Sequence, residues 1–378
     1  MTDTEIDSCD LMIIREIMKA IKAITLLSIL VYSFAACIPT PEPEQSPQTG
    51  SVSPTLPEEQ DADFYSVYFT DPDSPTAGSY RGGPDSDLAD AIRHARVSVD
   101  AAIYHLNLWS IRDALIAAHD AGVVVRVVVE SDNLDEVEIQ DVSKSGIQVM
   151  GDRRENFMHN KFAVIDGGEV WTGSMNFTVT GAYHNNNNLI RIRSKRLAEN
   201  YTTEFEEMFT QDMFGDNVVA NTTHPSLVVN GTRIETFFSP DDPTAPAIVK
   251  YIQEAEKSIS FLAYSFTSDI IAEAMLERAS AGVKVAGVFE EGQYYANIGT
   301  EYDRLVEAGL DIRMDGNDRN MHHKVIIIDG EIVILGSYNF SRNAEERNDE
   351  NTLIIHNSDI ADLYFDEFQR VFSQASIN

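Results

Sequence analysis

One pattern of chemically capable residues occurs twice in this chain. The first copy comprises His159, Lys161, Asp166, Gly173, Ser174 and Asn176, and the second comprises His322, Lys324, Asp329, Gly336, Ser337 and Asn339. Both copies follow the pattern H-x-K-x4-D-x6-G-S-x-N. Histidine changes its charge near neutral pH and can serve as nucleophile, base or acid. Lysine and asparagine can stabilise phosphate oxygens, one as a cation and the other as a neutral donor. The repeated set predicts chemistry on a phosphate group.

The sequence around each copy predicts a β-hairpin. Side chains alternate along a strand, so the His and Lys of H-x-K lie on the same strand face. Apolar, β-rich runs follow each lysine at residues 162–165 and 325–328, and Asp-Gly turn signals come next. A second apolar run then leads to Gly-Ser. We therefore expect His and Lys on one strand of each hairpin, and Ser and Asn just beyond the other.

The hairpins belong to a longer internal repeat. The apolar helix pattern at 88–95 and the buried strand pattern at 99–104 recur at 248–255 and 259–264, with the same offset along the chain. The offset between the two motifs is larger, because the second half carries three extra residues between the strand and the motif. Continuous apolar strands that alternate with helices predict an α/β sandwich in each half.

The repeat predicts the domain boundaries. We expect a first domain at residues 62–215, a connection at 216–232 and a second domain at 233–378. Each half carries one copy of the pattern. The active site is therefore expected at the interface between the two halves, within a monomer that is an internal pseudo-dimer.

The repeated pattern resembles the HKD motif of the phospholipase D superfamily, and the resemblance covers roughly residues 62–378. It implies two phospholipase D-like α/β sandwich domains that form a pseudo-dimer, with both motifs at one active site. It also implies a phosphodiesterase that works without a metal or other cofactor, because the two lysines supply the positive charge.

The resemblance further implies a double displacement at phosphorus. His159 would attack the phosphodiester and form a phosphohistidine, and His322 would protonate the leaving oxygen and then deprotonate water. The predicted phosphate-binding residues are Lys161, Asn176, Lys324 and Asn339. The motif assigns Asp166 and Asp329 to the catalytic set, although each ends a strand before a turn and a structural role is an equal alternative.

Four residues are predicted to support the reacting groups from behind. Ser174 and Ser337 follow the glycine of each motif, where they can also support the turn. In similar nucleases, a Glu at a fixed spacing after the motif His accepts a hydrogen bond from that imidazole. This spacing pairs His322 with Glu350 and His159 with Asn187. Because only His322 would then face a carboxylate, the choice of nucleophile stays open between the two histidines.

Composition narrows the function classes. The net charge of −33 indicates a surface that repels nucleic acid and anionic headgroups. The two cysteines, Cys9 and Cys37, both precede the predicted domains, which excludes a disulfide scaffold and a Cys-ligated metal site there. The nine histidines show no ligand spacing, so no metal site is predicted.

The segment before the predicted domains indicates an export signal and a tether. Residues 1–37 are interpreted as a signal peptide whose true start is Met18, since Lys19 and Lys22 precede a short uncharged, largely apolar stretch. Its end, Phe-Ala-Ala-Cys37, resembles a bacterial lipobox. Residues 38–61 are rich in Pro and Glu and predict a disordered tether. The protein is thus expected to be a membrane-anchored lipoprotein at the cell surface or in the periplasm.

Two substrate classes remain open. Hydrolysis of phospholipids to phosphatidic acid and a free headgroup is favoured by the tether and by the acidic charge. The alternative is a metal-independent endonuclease that cleaves DNA or RNA by the same two-histidine mechanism. Residues 263–268 and the Ile-Ala-x-Ala helix after them are similar to small bacterial endonucleases of the family. A binding module without activity would be expected to lose a motif His or Lys, and neither is lost.

Overall fold

A computed structural model describes residues 63–154 and 156–376, apart from the side chain of Asp216. The predicted signal peptide, Cys37 and the predicted tether lie outside the described residues. Within the described ranges, no helix has both the length and the apolar character needed to cross a membrane.

The first half contains one mixed sheet and the helices that flank it. Its strands are β1 (Tyr65–Phe69), β2 (Ser98–Ile103), β3 (Val124–Val129), β4 (Gln148–Gly151), β5 (Lys161–Ile165), β6 (Glu169–Gly173) and β7 (Asn188–Arg193). Its helices are α1 (Asp85–Arg93), α2 (Trp109–Asp120), α3 (Val137–Lys144), α4 (Val179–Tyr183) and α5 (Lys195–Gln211). Short 3-10 turns lie at Ala77–Ser79, Ser131–Asn133 and Gly215–Asn217.

The second half repeats this layout. Its strands are β8 (Ser226–Val229), β9 (Thr232–Ser239), β10 (Ser258–Ala263), β11 (Lys284–Phe289), β12 (Asp311–Met314), β13 (Lys324–Ile328), β14 (Ile332–Gly336) and β15 (Glu350–His356). Its helices are α6 (Thr244–Glu254), α7 (Asp269–Ser280), α8 (Glu291–Ala296), α9 (Tyr302–Glu307), α10 (Arg342–Glu346) and α11 (Ser358–Gln374).

The two sheets have equivalent strand orders. The first runs β1-β7-β6-β5-β2-β3-β4, and the second runs β9-β15-β14-β13-β10-β11-β12 with β8 added beyond β9. In each sheet three consecutive strands that are joined by helices pair in parallel, namely β2-β3-β4 and β10-β11-β12. The two strands of each motif hairpin pair antiparallel. The predicted α/β repeat is therefore confirmed, including the two motif hairpins β5–β6 and β13–β14. The prediction that His and Lys share a strand was wrong, because these strands begin at Lys161 and Lys324 and each motif His lies two residues before its strand.

Strand β8 corrects the predicted domain boundary. Ser226–Val229 lies inside the segment 216–232 that was predicted as a connection, yet it pairs with β9 in the second sheet. Leu227 and Val229 are buried and their neighbours are exposed, which is the alternation of a half-buried strand. Asn230 and Gly231 form the turn with positive φ angles. An Asn-Gly pair between such strands is a hairpin signal that the sequence interpretation missed.

Alternation along the strands divides the interior into layers. Ala101 faces an outer core under α1 to α3, whereas its neighbour Ala102 faces a central core. The central core holds residues of both sheets together with the long helices α5 and α11. A matching outer core lies under α6 and α7. The two halves therefore share one apolar layer, which fixes their sheets against each other and positions the motifs.

Candidate active site

The two halves exchange backbone hydrogen bonds at the motifs. Met158 forms a parallel bridge with Asp349, and Asn186 forms the equivalent bridge with Met321. The amide of His159 donates to the carbonyl oxygen of Asp349 at 3.0 Å, and the amide of His322 donates to that of Asn186 at 2.9 Å. Each motif histidine thus lies against the beginning of the last strand of the opposite half.

His159 is paired with a carboxylate from the second half. Its Nδ1 lies 2.7 Å from Oε2 of Glu350, and the imidazole is buried. Burial, followed by the charges of Lys161 and Lys324, holds the pKa of His159 well below its ordinary value. A neutral His159 that donates Nδ1–H to Glu350 keeps the Nε2 lone pair free to attack phosphorus.

His322 is paired with an amide from the first half. Its Nδ1 lies 3.0 Å from Oδ1 of Asn187 and 3.1 Å from the carbonyl oxygen of Ser174, so Nδ1 is the protonated nitrogen. The Asn187 amide is itself oriented, because its Nδ2 donates to the carbonyl oxygen of Gly181 at 2.9 Å. Burial, and then Lys324 and Lys161, lower the pKa of His322 well below its ordinary value.

These contacts correct the pairing that the motif spacing predicted. Glu350 faces His159, not His322, and Asn187 faces His322, not His159. The reason is the exchange between halves: β15 begins beside the first motif and β7 beside the second. A carboxylate stabilises the positive charge that an attacking imidazole acquires, whereas an amide fixes the tautomer with less charge stabilisation. We infer from this asymmetry that His159 is the nucleophile and His322 the acid and base.

The two serines lie behind these acceptors, as expected for supporting residues. The hydroxyl of Ser174 donates to Oδ1 of Asn187 at 2.8 Å. Burial raises the pKa of Glu350 to about 8, against the opposing effects of Lys161 and of a hydrogen bond from Ser337. Each serine hydroxyl also accepts a hydrogen bond from a backbone amide at the start of the adjacent strand, Asn188 in β7 and Asn351 in β15. The serines thereby hold the acceptors in place.

The motif lysines are buried at the floor of the site. Nζ of Lys161 donates to the carbonyl oxygen of His159 at 2.6 Å, and Nζ of Lys324 donates to that of His322 at 2.9 Å. Lys161 lies 4.7 Å from the ring centroid of Tyr104, at cation–π distance. Each ammonium keeps further donors for phosphate oxygens, since an ammonium has three.

Burial makes the charge of these lysines dependent on pH. It lowers the pKa of Lys161 to about 7, with Glu350 opposing the shift, and it lowers the pKa of Lys324 well below the ordinary value. A bound phosphodiester anion would favour the charged lysines again. The free enzyme therefore loses positive charge as the pH rises, and the substrate complex keeps it to higher pH.

We predict an alkaline decline of kcat/KM that begins near pH 7. Lys161 must be protonated to bind phosphate. Because its pKa is lowered to about 7, rising pH removes this proton within the neutral range. Loss of one required proton reduces kcat/KM about tenfold per pH unit, whereas kcat declines only at higher pH. Initial rates from pH 6 to 10 test this, and a kcat/KM that stays constant across that range would contradict it. Lys324 also has a lowered pKa, so only Lys161→Arg/Lys324→Arg, in which both cations stay charged, should move the decline to higher pH.

Asn176 and Asn339 present unused polar atoms at the site. Their Oδ1 atoms are buried and have no hydrogen-bond partner among the described residues. Rotating either amide by half a turn presents its NH2 group instead, which can donate to a phosphate oxygen. Both residues therefore suit the predicted phosphate-binding role.

Asp166 and Asp329 lie away from this site, which corrects their predicted catalytic role. Each follows the motif strand at the end opposite to the lysine, about 16 Å along it. The carboxylate of Asp329 accepts hydrogen bonds from the amides of residues 256–258 at 2.7–2.8 Å. Burial alone would raise the pKa of Asp329, but these hydrogen bonds together hold it below the ordinary value. Asp166 accepts the equivalent bonds from residues 96–98, so both aspartates anchor the start of the neighbouring strand.

The middle residue of each H-x-K was not singled out from the sequence, yet it connects the motif to the central helices. Asn160 lies 3.5 Å from a carboxylate oxygen of Glu204 on α5, and His323 lies 2.9 Å from one of Glu367 on α11. Glu204 and Glu367 have the same separation along the chain as the two motifs. That recurrence is a sequence signal that could have identified them.

The arrangement supports a two-step displacement. Nε2 of His159 bonds to phosphorus while the bond to the leaving oxygen breaks, and His322, which enters this step as the imidazolium, gives its Nε2 proton to that oxygen. In the second step His322 takes a proton from water, the water oxygen bonds to phosphorus, and the bond to His159 breaks. Among the described residues, no group of three or more His, Cys, Asp or Glu side chains could hold a metal ion.

Comparisons with known proteins agree with this geometry. The family described as "Cardiolipin synthase, PLD-like domain" matches residues 88–209 and 248–372, well over half of the chain. A phospholipase D of Rickettsia typhi is 30% identical over 179 residues, which are 47% of this chain and 85% of that protein. A mitochondrial cardiolipin hydrolase of Chlamydomonas reinhardtii is 26% identical over 168 residues, covering 38% of this chain and 75% of that protein.

A solved structure shows the same two-domain fold. The phosphatidylserine synthase of Haemophilus influenzae superposes with a TM-score of 0.64 at 12% identity, over 85% of this chain and 89% of that one. The two curated relatives match less than half of this chain, a length that corresponds to one of its halves. Two matched family domains, two intact motifs and one shared site lead to a single conclusion: the chain belongs to the phospholipase D superfamily, as a phosphodiesterase with both motifs in one polypeptide.

Proposed function

We propose that this phosphodiesterase hydrolyses phospholipids, releasing the headgroup and leaving phosphatidic acid. The observation that carries the proposal is the acidic and aromatic border of the site. Burial, and then the carboxylates of Glu130 and Asp132, raise the pKa of Tyr104 to about 12. Burial, and then Glu290, also raise the pKa of Tyr264. Both tyrosine rings lie against the motif histidines, at 4.7 Å in the first half and 4.4 Å in the second.

An acidic border selects among phosphodiesters. A nucleic-acid strand would bring many phosphates against these carboxylates and against a net charge of −33. A neutral or zwitterionic phospholipid brings one phosphate, which the two lysines can neutralise. The names of the curated relatives, phospholipase D and mitochondrial cardiolipin hydrolase, support a lipid substrate.

A direct comparison of substrates tests the proposal. The full-length protein in EDTA is incubated with phosphatidylcholine and phosphatidylethanolamine vesicles, and in parallel with single- and double-stranded DNA. We expect headgroup release from the vesicles, and its loss in His159→Ala and in His322→Ala. DNA cleavage without lipid turnover, abolished in the same variants, would assign the protein to the nucleases and overturn the lipid proposal.

We further propose that the protein is a lipoprotein whose Cys37 carries the lipid. The support is the sequence alone, namely the basic and apolar stretch before Cys37 and the Pro- and Glu-rich segment after it. Cells fed labelled palmitate should label the wild-type protein, which should fractionate with membranes. Cys37→Ser should lose the label and enter the soluble fraction. Equal labelling of both proteins would refute this assignment.

A further inference from the structure

Large apolar side chains are exposed in the helices and loops that follow the parallel strands of both halves. We call these five residues the apolar rim: Trp109, Val137, Ile270, Tyr295 and Ile298. Their exposed fractions range from 52% for Ile270 to 99% for Ile298. Exposed apolar residues that occur singly need no explanation, but a group around one site indicates an interaction surface.

The topology places the apolar rim on the edge of the sheets that carries the catalytic residues. Trp109 and Val137 begin the helices that follow β2 and β3, and Ile270 lies in the first turn of the helix after β10. Tyr295 and Ile298 follow β11, in the segment that is three residues longer than its first-half counterpart. All five therefore lie beyond the carboxyl ends of parallel strands.

The strands that carry the catalytic lysines, β5 and β13, begin at that same edge. Ile103, the last residue of β2, pairs with Lys161, and Ala263, the last residue of β10, pairs with Lys324. Because β5 and β13 run antiparallel to these strands, their first residues lie at the carboxyl edge. The apolar rim and both motifs therefore face the same side of the molecule.

Hydrogen bonds connect the rim loops directly to the tyrosines of the site. In the first half, Nδ2 of Asn133 donates to the carbonyl oxygen of Tyr104 at 2.6 Å, in the loop that leads to Val137. In the second half, Nε2 of Gln293 donates to the hydroxyl of Tyr264 at 3.1 Å, just before Tyr295. Because each tyrosine contacts a motif histidine, one layer of residues separates the rim loops from the reacting groups.

The charge of the two segments that carry Val137, Tyr295 and Ile298 indicates which kind of lipid surface they can contact. Segments 130–138 and 290–303 contain several Asp and Glu residues and no Lys or Arg. Such loops gain nothing from anionic lipids and are repelled by polyanions. Tryptophan and tyrosine are favoured where lipid headgroups meet hydrocarbon, and isoleucine and valine gain by entering the hydrocarbon.

We propose that the apolar rim docks the catalytic cleft onto a zwitterionic phospholipid surface. The inference rests on the proposed function, since it describes how a phospholipid inside a bilayer reaches the buried histidines. Insertion of the rim from both halves places the cleft mouth over the headgroups. A substrate phosphate then needs to rise only a short distance to reach the lysines, and the contact excludes bulk water from the cleft.

The two tryptophans make the docking measurable. Trp109 is 68% exposed, and Trp171, the other tryptophan in the sequence, is buried. On adding phosphatidylcholine vesicles with brominated acyl chains to the full-length protein, we expect quenching and a blue shift of tryptophan emission. Both signals should be lost in Trp109→Phe, because buried Trp171 reports no contact with lipid.

Substitutions at the rim test its contribution to turnover. The variant Val137→Ser/Tyr295→Ser/Ile298→Ser should bind vesicles at least about tenfold more weakly per removed side chain and lose vesicle turnover in proportion. Its kcat/KM on short-chain phosphatidylcholine below the micelle concentration should stay within about twofold of wild type, since no rim residue contacts the reacting atoms. Val97→Ser/Val124→Ser is the matched control, since these two exposed valines lie at the amino ends of β2 and β3.

The outcomes separate the two proposals. Unchanged vesicle turnover in the rim variant, or wild-type emission that brominated lipid does not quench, would overturn the docking proposal while monomeric lipid is still hydrolysed. Shielding of Trp109 only by an added protein would also overturn it, in favour of a protein partner. Quenching at Trp109 without hydrolysis of any lipid, monomeric lipid included, would instead overturn the proposed function and leave lipid docking in place.

Discussion

The His159→Ala variant is expected to lose at least about 10⁴-fold in kcat on every phosphodiester, because it removes the nucleophile. His322→Ala should lose about 10²–10⁴-fold on substrates with an alcohol leaving group, since that oxygen must be protonated. On a p-nitrophenyl phosphodiester the leaving group needs no proton, so the first step in His322→Ala should approach the wild-type rate. The loss of activity in His322→Ala thus depends on the leaving group, whereas the loss in His159→Ala does not.

The measurement is a rapid-mixing assay of p-nitrophenol release combined with mapping of the phosphorylated residue. His322→Ala should show a burst of one equivalent and then stall, because the second step lacks the base that deprotonates water. Peptide mapping should place the adduct on His159. A burst in His159→Ala, or an adduct on His322 in the wild-type protein, would reverse the assignment of roles.

Glu350→Gln is expected to reduce the rate of phosphoenzyme formation by about 10²–10⁴-fold. Losses of this size follow when an amide replaces a carboxylate that orients a catalytic imidazole. The Nδ1 of His159 lies 2.7 Å from this carboxylate, which stabilises the charge on the attacking ring. Asn187→Ala removes a neutral acceptor from His322 and should cost about tenfold, the effect of one hydrogen bond. The carbonyl oxygen of Ser174 remains to hold the His322 tautomer.

The leaving group again separates the possible pairings. If Glu350 serves His159, the loss in Glu350→Gln persists with a p-nitrophenyl substrate, because attack on phosphorus is impaired. If it served His322, as the motif spacing predicted, that loss would largely disappear. Asn187→Ala is the matched variant, and its smaller loss should disappear with p-nitrophenol. Thermal unfolding of both variants controls for damage to the fold.

Several features of the fold could be predicted because they depend on local sequence. The apolar runs after Lys161 and Lys324 form β5 and β13, and the Asp-Gly turns define both hairpins. The constant offsets identify the repeat, and the repeat implies one shared site. The signals for strand β8 are equally local, namely the alternation of Leu227 and Val229 with exposed neighbours and the Asn-Gly turn after them.

The roles of the motif aspartates could not be separated from sequence. The pattern places Asp166 and Asp329 in fixed register with the lysines, which suits catalysis and turn formation equally. The structure distinguishes the two, since the carboxylates accept hydrogen bonds from backbone amides far from the site. A fixed spacing shows that a residue matters to the motif, but it does not show what its side chain contacts.

What the sequence determined by itself is the set of reacting groups, their hairpins and their duplication, because these follow from neighbours along one strand. Only the tertiary structure decided that Glu350 serves His159, that Asn187 serves His322, and that exposed apolar residues of both halves follow the strands whose ends pair with the motif lysines. The physical reason is that the last strand of each half begins beside the motif of the other half, where backbone hydrogen bonds join the two. Contacts made through that exchange join residues 135 and 191 positions apart, a distance along the chain that no local pattern encodes.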